Sequence, residues 1–213
     1  RQSMAHNDTL TSELSMVKGT SLTVTRDTGL GTLKAIWSKR ETEWFDRLDL
    51  DGGPFNIAET ARDTDYEADT FELQLSGSTD NLDYVIGYYM LEDDAYTSNP
   101  QSFFLGGSVF VQNYSGSGES EAIFGQFSYR FAEDWSVTLG ARSTEEDKTG
   151  FKEYVGIISA SGEGSFDDTT STFILEHDFS ENTNVYFKVA EGFKAGGFNA
   201  ESSNPFAAST PYA

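Results

Sequence analysis

The chain has 213 residues, no cysteine, and Lys+Arg 14 against Asp+Glu 35 for a formal net charge of −21. Such a polyanion is ill suited to gripping nucleic acid, whose phosphates are held by basic residues, and without thiols it has neither a disulfide framework nor a cysteine-ligated metal. Hydrophobic content is only 37%, yet 17 Phe and 10 Tyr set it apart from disordered chains, which are poor in aromatics, and no apolar run reaches the length of a membrane-spanning helix.

The chain begins Arg1-Gln-Ser-Met-Ala-His6, without the basic and apolar blocks of a signal segment, and residues 1–15 are expected to be irregular. From there period-2 alternation predicts eight strands, at 16–26, 33–44, 66–77, 82–92, 119–131, 135–148, 170–179 and 185–193. Most exceed the five or six residues usual in soluble sheets. They match the roughly 9–11 that a tilted strand needs to cross a bilayer. The connections alternate. Short ones at 27–32, 78–81, 132–134 and 180–184 are rich in Gly, Ser, Asn and Asp, as hairpin turns require. Long polar links are expected at 45–65, 93–118 and 149–169, with a terminal, truncated outer loop at 194–213. Short turns at one end and long loops at the other is the layout of a transmembrane β-barrel.

Register follows from the alternation. Facing Phe131 with Trp135 sets Tyr129 against Val137, Phe127 against Leu139 and Gly125 against Ala141, one apolar face with aromatics at the turn. Gln126, Ser128, Arg130, Ser136, Thr138 and Arg142 then share a polar face. The same reasoning sets Val24 against Ala35 and Leu22 against Trp37. It sets Leu75 against Tyr84, Leu73 against Ile86 and Phe71 against Tyr88. In the last hairpin it sets Phe179 against Val185, His177 against Phe187, Leu175 against Val189, and Glu176 against Lys188 as an opposite-charge pair. Two architectures give such alternation. A soluble sandwich buries the apolar face against a second sheet; an outer-membrane barrel turns it to lipid and lines its lumen with the polar face. The surroundings of Phe127, Tyr129, Val137 and Leu139 separate them.

The segment Glu121-Ala-Ile-Phe-Gly-Gln-Phe-Ser-Tyr-Arg-Phe-Ala-Glu-Asp-Trp-Ser-Val-Thr-Leu-Gly-Ala-Arg142 resembles a barrel hairpin of TonB-dependent outer-membrane receptors. Val185-Tyr-Phe-Lys-Val-Ala-Glu-Gly-Phe-Lys-Ala-Gly-Gly-Phe-Asn199 resembles the strand and loop that follow in that family. Phe71-Glu-Leu-Gln-Leu-Ser-Gly-Ser78 with Leu82-Asp-Tyr-Val-Ile-Gly-Tyr-Tyr89 is similar to an earlier hairpin. Together they cover most of 22–199 in the family's order. The resemblance implies a segment of an all-β, antiparallel, up-and-down barrel of 22 strands, about eight long strands in four hairpins over 1–213, set in the outer membrane of a Gram-negative bacterium among lipid and lipopolysaccharide. It implies energy-coupled uptake of a scarce nutrient, above all a ferric siderophore or similar iron complex, with the TonB–ExbB–ExbD complex acting through a plug domain. These residues show neither a plug-like segment nor a TonB-engaging motif. Both the first and last strands meet the long-loop side, so an odd number of strands is expected beyond each end. The competing expectation is a secreted β-sandwich carbohydrate-binding module.

No pattern points to catalysis, a cofactor or a metal site. Asp46-x-x-Asp49-x-Asp51-Gly52-Gly53 has the look of a calcium loop, but Arg47 and Ala58 stand where an EF-hand needs acids, so a solvated acidic outer loop is expected. His6 and His177 are the only histidines; His177 falls on the apolar face near a short turn, where an amphipathic ring suits an interface. Gly29-x-Gly31 is a turn rather than a nucleotide fingerprint, while Gly116-x-Gly118 and Gly196-Gly197 read as loop flexibility. Glu145/Glu146 and Asp167/Asp168 are strand neighbours pointing to opposite faces, which rules out an acid/base dyad, and no Gly-x-Ser-x-Gly elbow occurs. The aromatics Phe103, Phe104, Phe110, Tyr114, Phe193 and Phe198 either form a ligand platform or pack the outer loops together. Enzymatic activity is not expected, and no substrate-binding residue is assigned.

Overall fold

The computed structural model describes residues 10–104 and 107–212; His6 lies outside them. The eight strands are β1 (Ser12–Thr28), β2 (Gly31–Asp49), β3 (Ala58–Ser78), β4 (Leu82–Phe103), β5 (Ser108–Ala132), β6 (Trp135–Tyr154), β7 (Ile158–Ser180) and β8 (Thr183–Ala190). They form one antiparallel sheet in strict sequence order, β1 to β8. A single helical turn, α1 (Pro205–Ala208), follows.

The strands are much longer than the alternation indicates. β5 runs 25 residues, roughly 80 Å of extended chain. The long links expected at 45–65, 93–118 and 149–169 are for the most part strand. β2 and β3 are joined by residues 50–57, β4 and β5 by 104–107, and β6 and β7 by 155–157. The physical reason is visible on the apolar side. Above about nine residues of β4, 82–90, that side changes from Leu82, Tyr84, Ile86, Tyr88 and Met90 to Glu92 and Asp94. The ladder continues while the hydrophobic period that announces it disappears.

Register is as expected in two hairpins. Tyr129 pairs with Val137, Phe127 with Leu139 and Gly125 with Ala141; Val24 pairs with Ala35 and Leu22 with Trp37. The exception is Phe131. A bulge between Arg130 and Ala132 sets Ala132 opposite Trp135, leaving the Phe131 and Trp135 rings tilted at 6.3 Å. The other two hairpins are shifted by two residues. Leu75 faces Ile86, Leu73 faces Tyr88 and Phe71 faces Met90, because the four-residue turn sits one position further along, at 79–82 instead of 78–81: Ser78 pairs with Asp83 and binds its carboxylate at 2.5 Å. In the last hairpin His177 faces Val185, Leu175 faces Phe187 and Phe173 faces Val189, around a tighter turn with a bulge at Phe179. Lys188 therefore lies opposite Ile174 instead of Glu176, and Glu176 accepts from the Asn184 amide. A slip of two preserves the faces, so the apolar and polar sets are as predicted.

No second sheet covers the apolar face among the described residues. Phe127, Tyr129 and Phe131 are 47%, 48% and 51% exposed, which excludes the sandwich and its buried core. The polar face carries Ser38–Thr70 and Ser128–Thr138 hydroxyl pairs and Arg142 over the Tyr89 and Phe124 rings at 5.4 and 5.7 Å. At the turn end of the apolar face His177 stacks on Trp135 at 4.2 Å, meets Phe179 edge-on at 4.3 Å, and its Nδ1 lies 3.1 Å from the Asp134 carbonyl.

Candidate ligand-binding site

Carrying the face alternation up the long strands brings one set of residues to the polar face near the hairpin tips. Even-numbered positions of β6 continue from Thr138 and Arg142 through Lys148 and Gly150 to Lys152 and Tyr154. Their partners across the ladder include Tyr114, opposite Lys152, and Gln112, opposite Tyr154. Arg62 of β3 lies on the same face. With Thr60, Asn99, Gln101, Glu201 and Ser203 these side chains line a cleft of about 520 Å³.

Two cations dominate it. Arg62 forks onto Asp46, Nε to Oδ1 at 3.1 Å and Nη2 to Oδ2 at 2.8 Å, and its guanidinium lies 4.8 Å from the centroid of the Trp44 ring. Hydrogen bonding to Asp46 raises the Arg62 pKa, so it stays cationic. Asp46 is 3% exposed, and the bidentate geometry holds it firmly. Lys152 is 1% exposed. Its Nζ donates to the Ala200 carbonyl at 2.8 Å and sits 4.7 and 5.8 Å from the Tyr114 and Tyr154 ring centroids. Among the described residues no carboxylate lies within 4.0 Å of it. Burial lowers its pKa, with Glu201 pulling the other way, and burial raises that of Tyr114. A buried ammonium without an anion is costly. Beside the cations a chain of amides runs from Asn99, which donates to Thr60 Oγ1 at 2.7 Å, through Gln101 to Gln112. The arrangement is suited to receiving an anion bearing several oxygens.

The end of the chain closes over this region. After Ala190 it leaves the sheet, anchored where Glu191 accepts from the Ser171 amide and hydroxyl. It then climbs the polar face of β6, with Lys148 Nζ donating to the Gly196 carbonyl at 3.2 Å, Lys152 to Ala200, and the Tyr154 hydroxyl to the Ser203 carbonyl at 3.0 Å. It turns through α1 and descends along β7, and Gly197 and Tyr212 exchange backbone bonds at 2.9 Å. The close approach depends on Gly150 and Gly162, which face each other across β6 and β7. A Cβ on Gly150 would lie 2.6 Å from the Phe198 ring, and one on Gly162 would strike the Ser209 carbonyl.

Several residues singled out in the sequence take other parts. Phe103 and Phe110 pair at 6.2 Å at a hairpin tip, Phe104 is exposed, and Phe198 packs the returning end of the chain, a strap of residues 196–212, onto the glycines. Of the loop aromatics only Tyr114 and Phe110 line the cleft. In place of a calcium loop, Asp46 binds Arg62, Asp49 accepts from the amides of Asp51 and Gly52, and Asp51 accepts from those of Gly53, Ile57 and Ala58. Arg62, Lys152 and Glu201 were not legible as a site, because they lie far apart in polar stretches. Extending the alternation of 135–142 to residue 154 is the signal that finds Lys152.

The profile of a family described as TonB dependent receptor-like, beta-barrel, matches residues 5–212. No curated protein sequence matches. Among solved structures, the fold is similar to the ferric yersiniabactin uptake receptor FyuA from Yersinia pestis, with TM-score 0.80 and 14% identity over 91% of this chain. It is also similar to the ferric-catecholate import receptor Fiu from E. coli K12, with TM-score 0.61 and 12% identity over 87%, and to the ferric citrate transporter FecA, with TM-score 0.60 and 12% identity over 87%. The chain spans 30%, 36% and 28% of those three chains respectively. With nearly its whole length matched by one profile, the chain belongs to the family of TonB-dependent receptor β-barrels.

Proposed function

We propose that residues 1–213 are part of the wall of an outer-membrane receptor, and that their polar face near the hairpin tips helps capture an anionic iron complex, of the ferric siderophore class, for energy-coupled uptake. The apolar band of 82–90 and its neighbours then meets hydrocarbon, and the strands above it project among lipopolysaccharide into the medium. Among the described residues β1 and β8 are each paired on one side only. Such edges are tolerated in a bilayer only when further strands close the ring, so additional strands complete the barrel, and coupling to TonB–ExbB–ExbD passes through a plug domain outside these residues. In this reading residues 194–213 are an outer loop that folds back into the mouth of the barrel.

The observation that carries the substrate reading is Lys152: a cation 1% exposed, held by a carbonyl and two aromatic faces, beside Arg62 in an oxygen-rich cleft. An anionic chelate supplies the missing counter-charge. The three solved relatives are, by their printed names, a ferric yersiniabactin receptor, a ferric citrate transporter and a ferric-catecholate receptor, which supports iron complexes as the class.

The test is uptake of radioactive iron, offered as a panel of siderophore complexes, by cells carrying the full-length receptor. Lys152→Met, similar in length but neutral, is expected to lower uptake by about tenfold, the worth of one charge-assisted hydrogen bond. Unchanged uptake at equal surface abundance contradicts the reading.

A further inference from the structure

The cleft contains an anion of the protein's own. Glu201 lies on the strap, and its Oε1 is 3.5 Å from Arg62 Nη1. It lines the same cleft as Lys152 and Tyr114. The preceding residue supplies the carbonyl that holds the Lys152 ammonium. Two consecutive strap residues therefore address the two cations, one with a carboxylate and one with a carbonyl oxygen. The other strap hydrogen bonds to β6 run through strap carbonyls, Gly196 to Lys148 and Ser203 to Tyr154, and Phe198 packs against Gly150. Glu201 is the one strap carboxylate on the cleft's cations.

We propose that Glu201 is an internal stand-in for the ligand: its carboxylate occupies the anion seat beside Arg62 and Lys152 and keeps the strap of 196–212 closed, and a carboxylate of the incoming complex displaces it and releases the strap. The inference rests on the reading of the cleft as a ligand site and adds how that site is kept shut. The geometry fits a latch rather than a lock. The Arg62–Glu201 contact is long and the Glu201 side chain is 73% exposed, and exposed ion pairs hold weakly, so a ligand carboxylate can compete. Arg62 is not released in the exchange, because its fork to Asp46 uses Nε and Nη2 and leaves Nη1 for the seat. Lys152, whose bond to Ala200 breaks when the strap lifts, exchanges that carbonyl for water until the ligand's anion arrives. Strap opening without ligand therefore loses the Arg62–Glu201 and Lys152–Ala200 contacts, and opening with ligand replaces them.

The experiment follows amide hydrogen exchange of residues 196–212 in the purified full-length receptor in detergent, at constant ionic strength, with citrate as a soluble carboxylate probe. Glu201→Gln is expected to speed exchange of the strap about fivefold, the shift that loss of one weak ion pair allows. Glu201→Asp should fall between, and Glu163→Gln, an acid on the opposite face of β7, should change nothing. Citrate should speed strap exchange in the wild type and add little in Glu201→Gln, while binding that variant several-fold more tightly. Unchanged exchange in Glu201→Gln overturns the proposal. So does faster exchange with citrate affinity equal to wild type, since Glu201 would then hold the strap without occupying the ligand's place. Failure of the iron-uptake reading registers separately, as Lys152→Met cells that accumulate iron normally, and does not alter the strap exchange rates.

Discussion

The two ends of this sheet share one backbone ladder and differ in almost everything attached to it. Toward the short turns the apolar side pairs Phe127 with Leu139, Leu73 with Tyr88 and Trp37 with Phe71. Above Met90 the same side sets like charges face to face: Glu41 with Glu67, Glu67 with Asp94, Glu121 with Glu145, Glu145 with Asp167. Directly opposed like charges destabilise a sheet. On β2 and β3 Lys39 offsets that repulsion by pairing with Glu41, Glu67 and Asp69, and Arg47 pairs with Glu59; across β4 to β7 the upper part persists in spite of its outer face. It is held by the Arg62–Asp46 fork, the amide chain of Asn99, Gln101 and Gln112, the backbone caps at Asp49 and Asp51, and the strap. The lower part needs an apolar surrounding; the upper part needs water, and across β4 to β7 its order comes from the inner face.

Charge placement should break the comparison most sharply. Leu139→Arg, in the middle of the apolar band, is expected to cost about 2–4 kcal/mol in a full-length receptor refolded into bilayers and titrated with urea. Ser117→Arg, on the same side above the band and opposite Asp94, should cost nothing measurable. Next comes the upper part's own anchor. Arg62→Ala strands the buried Asp46 carboxylate, at a cost of about 3 kcal/mol, seen as faster amide exchange in β2 and β3 near the tips with the banded half unaffected. Replacing both partners together, as Asp46→Asn with Arg62→Met, should recover most of that loss.

A smaller effect of opposite sign is expected from relieving repulsion. Glu145 faces acids on both sides, Glu121 and Asp167. Glu145→Gln should stabilise the upper sheet by a few tenths of a kcal/mol, up to about 1. The gain should shrink toward physiological salt, where screening acts over about 8 Å. The smallest effect concerns pH. Hydrogen bonds from the backbone amides, that of Ala58 foremost, hold the Asp51 carboxyl below its ordinary range. A group whose pKa is lower folded than unfolded stabilises above the unfolded value and ceases to do so as pH falls through the folded one. The 50–57 loop should stay protected from exchange down through the usual carboxylate range and open only below it, and Asp51→Asn should remove that acid transition.

The sequence made the lower half legible for a physical reason. Lipid and lumen demand different side chains at alternate positions, so Tyr129, Phe127, Val137 and Leu139 mark their own face and pair correctly. Turn placement was less legible. The hydroxyl and carboxylate of Ser78 and Asp83, and the bulge at Phe179, each moved a hairpin by two residues without changing a face. The upper strands were not legible, because water on both sides imposes no alternation and Glu92, Asp94, Glu119 and Asp147 look like loop. The site shared that obscurity. Tyr114 stood out as an aromatic in a polar stretch, while Arg62, Lys152 and Glu201 were single charges among many until the ladder aligned them.

The central claim, that one face of the banded half touches hydrocarbon while the other lines an aqueous interior, is tested most directly by nitroxide labels at single cysteines in the full-length receptor in bilayers. Labels at 127 and 139 are expected to collide freely with oxygen and hardly at all with a water-soluble nickel chelate; labels at 128 and 138 should show the reverse preference, and a label at 117 should meet the nickel chelate freely. Equal exposure of 127 and 128 to the aqueous probe would contradict it.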